Sequence, residues 1–399
     1  MEYRLDELFD LQMGKTPARK NPEYWNSNDY KWISIADLSK CEKYITETKE
    51  HISSIAVQES GISEIPANTV IMSFKLSIGK TAITKEPIYS NEAIMSFRDK
   101  GVTPLLPDYI YYMFSGRDWS KGSNTAVMGT TLNKATLSQI RIYVHAYEDQ
   151  KRIVELLDKV SSIISKRKQE LVELDDLIKA RFIELFGDPM TDVSKWSAST
   201  IGEQFNVSSG GTPATGEKAY WENGTIPWIG SNMCQDTMLS ENDGKFITEE
   251  GYAHSSAKWF HKGTVLVALV GATIGKTALL RFDTTTNQNI AAIDVTQNAA
   301  FSSEFVFYHM QMLYSKFMEI GSGKFKMANQ SFIRQLPLIC PPIELQEQFA
   351  AFVEQIDKSK LLSGCRLFHS WAPENRDKPK HVGVPRRETK DLRGGRRQQ

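Results

Sequence analysis

The chain has 399 residues, 48 Lys/Arg against 48 Asp/Glu, 41% hydrophobic and 24% charged residues, which is ordinary for a soluble globular protein long enough for two or three domains with their own cores. A net charge of zero gives no general attraction to nucleic acid, and it hides an asymmetry: residues 361–399 carry +6 and residues 1–360 carry −6, so DNA binding has to rest on local patches or a basic partner. The charged, acidic residues 1–7 are no secretory signal, and the longest apolar run, 265–275, is too short for a bilayer. Four scattered cysteines (Cys41, Cys234, Cys340, Cys365) without metal spacing fit a reducing cytoplasm.

In chain order, short β runs bounded by Gly and Pro fall at 30–35, 69–74 and 140–144, with an amphipathic helix at 107–114. Residues 148–186 contain neither Pro nor Gly. There Leu157, Ile164, Leu171, Ile178 and Leu185 recur every seven positions, and Ile153, Val160, Arg167, Leu174 and Arg181 sit four before them. This is a heptad seam, the pattern of a coiled-coil helix, stopped by Gly187-Asp188-Pro189. At roughly 1.5 Å per residue it predicts a rod about 58 Å long, and so long a helix needs a partner for its seam. Further β runs follow at 226–229, 264–270 and 336–339, a helix at 303–317, and a second heptad helix from Ile343 after Pro341-Pro342.

The segments flanking the central helix repeat at a constant offset of 196. Leu5-Asp-Glu-Leu-Phe9 aligns with Ile201-Gly-Glu-Gln-Phe205, Gly14-Lys-Thr-Pro17 with Gly210-Gly-Thr-Pro213, and Tyr24-Trp25 with Tyr220-Trp221. Trp32 aligns with Trp228, Ile78-Gly-Lys-Thr-Ala82 with Ile274-Gly-Lys-Thr-Ala278, Asn133 with Asn329, and Glu148-x-Gln150 with Glu344-x-Gln346. An identical pentapeptide and paired tryptophans in one register mark an internal duplication. The second helix keeps the pattern through Phe349, Phe352, Val353 and Ile356 but loses it at Lys360, where a Pro-, Gly- and Arg-rich tail begins.

Two globules, each opening with a G-x-T-P loop and a Tyr-Trp pair and ending in a helix led by Glu-x-Gln, resemble the specificity (S) subunits of Type I restriction–modification enzymes across residues 1–360. The resemblance implies two α+β target recognition domains, each reading half of a bipartite double-stranded DNA site. It also implies helices that pair antiparallel as a spacer and dock two methyltransferase (M) subunits, with restriction (R) subunits completing a cytoplasmic nuclease. S-adenosylmethionine, ATP and Mg would belong to those partners, leaving this chain without cofactor, membrane association or catalysis. The organisation expected is recognition domain 1–147, coiled-coil spacer 148–190, recognition domain 191–342, a truncated second helix 343–360 and a disordered basic tail 361–399. The family continues the second helix past Lys360; an altered reading frame or a re-joined gene is the simplest account of the departure.

Candidate DNA contacts are read from loops. Ile-Gly-Lys-Thr is no phosphate loop, because Phe74 and Val270 stand where the first glycine is required. Its glycine is read as a turn between strands, while Lys80 and Lys276 are available to phosphates. Lys15, Thr16 and Thr212 either hold a phosphate or form a plain turn, and the tryptophans read as core anchors. Lys324, Lys326, Asn329 and Gln330, with Asn124, Asn133 and Lys134 in the first copy, mix cations with amides that can read adenine; Asn also simply makes turns. No Asn/Asp-Pro-Pro-aromatic, G-x-S-x-G, H-E-x-x-H or G-x-G-x-x-G pattern supplies catalysis. The rival readings are a duplicated scaffold that binds proteins, which the −6 charge favours, and an assembly-defective S subunit. In the latter the short second helix leaves half of the seam, several of Ile164, Leu171, Leu174, Ile178 and Leu185, exposed.

Overall fold

The heptad-rich stretch forms one helix, Tyr147–Phe186, of 40 residues, in a computed structural model that describes residues 1–75, 77–119, 132–191, 195–320 and 327–362. The chain divides into two compact units, Met1–Lys166 and Arg167–Gln399. Of the tail expected to be disordered, 361–399, the first two residues instead close helix Ile343–Leu362; the rest lies outside the described residues, as do the candidate contacts Asn124, Lys324 and Lys326.

In the first unit a five-stranded sheet sets Phe9–Met13, Ile94–Asp99, Val70–Ser73, Thr81–Thr84 and Tyr44–Ile45 side by side in that order. A smaller sheet orders Glu50–Ile52, Tyr30–Ile33 and Tyr89–Ser90, and Glu2–Arg4 pairs with Arg141–Tyr143. The central strands Val70–Ser73 and Thr81–Thr84 are buried at every position, Ser73, Thr81 and Thr84 included, so neither shows the alternation of a sheet with one face in water. Helix Pro107–Ser115 starts on a proline at its first turn and buries Tyr109, Ile110 and Phe114.

The second unit repeats this order: Asn206–Ser209, Ile290–Asp294, Val265–Ala268, Thr277–Leu280 and Thr237–Leu239. Its smaller sheet orders Phe246–Ile247, Ile226–Ile229 and Thr284–Thr286 and adds an edge strand, Trp259–Phe260. The expected helix 303–317 is two helices, Ser303–Met312 and Tyr314–Met318. Buried Leu313 leaves helical geometry between them at φ −85°, ψ 7°.

Side-chain geometry repeats as closely as the strands. Trp25 and Trp32 pack edge to face at 5.0 Å, and Trp221 and Trp228 at 5.2 Å. The indole N–H groups of Trp32 and Trp228 donate to the Lys15 and Gly211 carbonyls at 3.1 and 3.0 Å.

The glutamine of each Glu-x-Gln ties helix to globule. Gln150 donates to the Pro104 and His145 carbonyls and accepts from the Leu106 N–H, all at 3.0 Å. Gln346 does the same with Ala300, Pro341 and Ser302 at 3.0, 2.8 and 2.9 Å. Both amides are almost fully buried, and such a group is tolerated only when its partners are met.

A second tie holds the first unit. The Lys43 ammonium lies 2.6 Å from both Asp108 and Asp158, whose carboxylates also take the Tyr44 and Tyr112 hydroxyls at 2.5 Å. Burial works to lower the Lys43 pKa, but the two carboxylates outweigh it and raise the pKa above the usual lysine value. In the second unit Glu304, the counterpart of Asp108, pairs instead with Arg281 at 2.8 Å.

The C-terminal end of the long helix belongs to the second unit's core. Ile178, Phe182 and Phe186 are 0% exposed, and their spacing of four is that of a core-facing helix stripe. Helix Ile343–Leu362 crosses this end antiparallel: Phe349 lies 5.7 Å from Phe186, Arg181 sits 5.9 Å from the Phe352 ring, and Lys360 reaches Asp175 at 2.7 Å. The expectation that several of Ile164, Leu171, Leu174, Ile178 and Leu185 are exposed is therefore overturned, since none of the five is. Ile178 is sealed, and half-buried Leu185 packs on the same core. Ile153, Leu157, Ile164, Leu171 and Leu174 are half-buried, whereas Val160 is exposed.

His309 is fully buried and lies beside the stacked Phe305 and Phe182 rings, at 5.7 and 6.3 Å from them. Its Nε2–H donates to the Pro337 carbonyl at 2.9 Å, and its Nδ1 has no partner. Burial pushes its pKa down to about 4. The unfolded chain takes up a proton as pH falls through the usual histidine range near 6.5, and the folded chain does not until about 4. Stability therefore falls with pH across that window, by about 3 kcal/mol in total. Urea denaturation of the second unit at pH 7 and pH 4.5 should show this loss, and His309→Gln should remove most of it.

Candidate nucleic-acid interface

The loop between strands Val70–Ser73 and Thr81–Thr84, and its counterpart in the second unit, require their glycine. Gly79 and Gly275 have φ of +86° and +77°, and a Cβ there would fall 2.7 Å from Trp119 and from Phe317. The turn reading of Ile-Gly-Lys-Thr is thus the structural one. The lysine that follows differs between copies. Lys80 is exposed beside a groove of about 500 Å³ lined by Glu42, Tyr111, Arg117 and Trp119. Lys276 pairs with Asp236 at 2.5 Å and sits 5.0 Å from the Tyr314 ring, so its charge is already matched.

The G-x-T-P loops pass against the small sheet. A Cβ on Gly14 or Gly210 would fall 2.2 or 2.1 Å from the Ser90 or Thr286 carbonyl oxygen. Lys15 donates to the Ser60 carbonyl, and the Thr16 hydroxyl to Glu92. In the second unit Thr212 donates to Gln288 at 2.6 Å, so an amide replaces a carboxylate at the equivalent place.

Asn133 and Asn329 are helix N-caps. Their side-chain oxygens each accept at 2.9 Å from the N–H of Thr136 and Phe332, starting helices Lys134–Ser138 and Gln330–Gln335. A bidentate contact with adenine would use that same oxygen, of which the cap leaves one lone pair. Lys134, the first residue of its helix, is exposed. Gln330 donates to the Ser209 hydroxyl at 3.0 Å and accepts from Arg334 at 3.1 Å.

The second unit gathers Gln288, Asn289, Asn329, Gln330, Ser209 and Gly210 around an open cleft of about 380 Å³. Sequence reasoning singled out Asn329 and Gln330 but missed Gln288 and Asn289, whose only signal is the Asn287-Gln-Asn run of amides. It also passed over Lys43, Asp108 and Asp158, which are far apart in sequence. Among the described residues no group of three His, Cys, Asp or Glu is placed to hold a metal ion, and no helix is long and apolar enough to cross a membrane.

The Type I restriction modification DNA specificity domain family matches this chain twice, at residues 1–174 and 193–364, and the chain belongs to that family. It is a specificity subunit, a non-catalytic component of a Type I restriction system. The specificity subunit of the MjaIX Type I restriction enzyme of Methanocaldococcus jannaschii is 23% identical over 376 residues, 88% of this chain and 85% of that one. The fold is similar to that of the S subunit of a Type I restriction–modification system from M. genitalium, with TM-score 0.50 and 14% identity over 92% of this chain and 91% of that one. A chain from a structural study of complex assembly and conformational transition of the type I R-M system matches with TM-score 0.55 and 16% identity, covering 93% of each.

Proposed function

We propose that this chain recognises double-stranded DNA for a Type I restriction–modification complex, each globule reading one half of a bipartite, asymmetric site. The observation that carries the reading is one fold built twice with different loop chemistry. Lys80 is exposed where Lys276 is neutralised, and Glu92 stands where the second copy has Gln288. Two like frames with unlike loops read unlike half-sites, spaced by about one helical turn, on the order of 10 bp, if both meet the duplex from one side. In this reading the helices dock two M subunits, and R subunits join them in the cytoplasm. S-adenosylmethionine, ATP and Mg act on those partners, and this chain uses no cofactor.

The second reading, a scaffold that binds proteins instead of DNA, is favoured by the −6 charge of residues 1–360. Salt dependence separates the two. In the complex with M subunits, replacing Lys80, Lys134, Lys324 and Lys326 with Ala should weaken binding to every DNA sequence alike and reduce the salt slope by about one per contact. Lys276→Ala, whose charge Asp236 already matches, should leave the slope unchanged. A multiple variant that keeps the full slope would favour the scaffold.

A further inference from the structure

The repeat allows the two helix-bearing faces to be compared position by position, and they differ systematically. In the second unit Phe349, Val353 and Ile339 are at most 1% exposed, within the cluster that holds Ile178, Phe182 and Phe186. The Phe349 ring is 5.4 and 5.7 Å from Phe182 and Phe186. In the first unit the counterpart of Ile339 is Tyr143, 60% exposed. The counterparts of half-buried Phe352 and Ile356 are Leu156 and Val160, 63% and 43% exposed. Ile153 and Leu157, which stand for Phe349 and Val353, are only half-buried. The positions that the repeat assigns to covering this face are Glu374, Lys378 and Val382, in a segment with prolines at 373 and 379; they carry no Ile-x3-Phe-x3-Phe stripe.

We propose that this face of the first unit is a docking site for an amphipathic helix of a second protein, one carrying an aliphatic-x3-aromatic-x3-aromatic stripe. The second unit supplies the template, since the same frame there already holds such a helix. A second copy of this chain is not the occupant, because its own Ile178, Phe182 and Phe186 are completely buried. Leu156 and Val160 stand one helical turn apart and present a continuous ridge. The face is also preorganised: Gln150 and the Lys43 cluster fix the helix that bears it, so an incoming helix meets little ordering cost. The proposal does not depend on which DNA, if any, the chain reads.

A fluorescein-labelled peptide of residues 174–190, titrated into the full-length chain, tests it by fluorescence anisotropy. Saturable one-to-one binding is expected. Leu156→Asp or Val160→Asp in the chain should weaken it at least tenfold, and these exposed substitutions should leave thermal unfolding unchanged. Phe182→Ala with Phe186→Ala in the peptide should weaken it equally. Absence of saturable binding would overturn the proposal. So would binding that survives both aspartate variants, since the peptide would then be entering the second unit in place of its own helix.

Discussion

Phe186→Ala is expected to destabilise the second unit by about 3–5 kcal/mol, the usual cost of removing a buried phenyl ring. Its ring is 0% exposed and packs at 4.9 Å from Phe305, 5.0 Å from Phe182 and 5.7 Å from Phe349. It therefore joins the long helix, helix Ser303–Met312 and helix Ile343–Leu362. Against a typical net stability of about 5–15 kcal/mol such a loss is large, and it should fall on one unit. Hydrogen exchange should accelerate through strands 265–268 and 277–280 and remain unchanged in 70–73 and 81–84. Leu157→Ala, at a half-buried heptad position, should cost much less. Equal costs at 157 and 186 would mean that the helix is stabilised as a uniform seam rather than by its aromatic end.

Gln346→Leu should cost about 3 kcal/mol or more although it keeps most of the side-chain volume. The amide meets the Ser302 N–H and the Ala300 and Pro341 carbonyls, and leucine strands all three; each unsatisfied buried group costs about 1–3 kcal/mol. Gln150→Leu should do the same in the first unit. There the helix adds only partly buried Ile153 and Val154 to the core, so loosening of the helix should be more pronounced. Exchange at the Leu106 and Ser302 amides reads the two effects separately. A loss below about 1 kcal/mol in both variants would show that water replaces the glutamine without penalty.

Much of this architecture was legible in the sequence because duplication writes each feature twice. The Ile-Gly-Lys-Thr-Ala pentapeptide, the Tyr-Trp pairs and the match of Trp32 with Trp228 fixed the offset, and the strand orders follow it. The glycine turn was legible too, since the phosphate-loop spacing failed in both copies. The buried stripe of the long helix was not. A seven-residue repeat and a true helical period diverge by only about 20° per heptad, so the a and d series named Leu185 while Phe182 and Phe186 carry the packing. An aromatic pair four apart just before Gly187-Asp188-Pro189 was the available signal. The Glu-x-Gln motif was visible as a repeat, but nothing in a sequence says that its amide is buried. The Asn caps were hidden differently: Asn serves equally as cap, turn former and base reader, and only the Thr136 and Phe332 N–H contacts decide what its oxygen does here.

That two unlike globules read two half-sites is tested most directly by methylome sequencing of cells expressing this chain with a Type I M subunit. A single methylated motif with two different half-sites, separated by a fixed gap of unread bases and about 10 bp apart centre to centre, is the expected result. A symmetric motif, a single uninterrupted one, or no sequence-dependent methylation from a complex shown to assemble would contradict it.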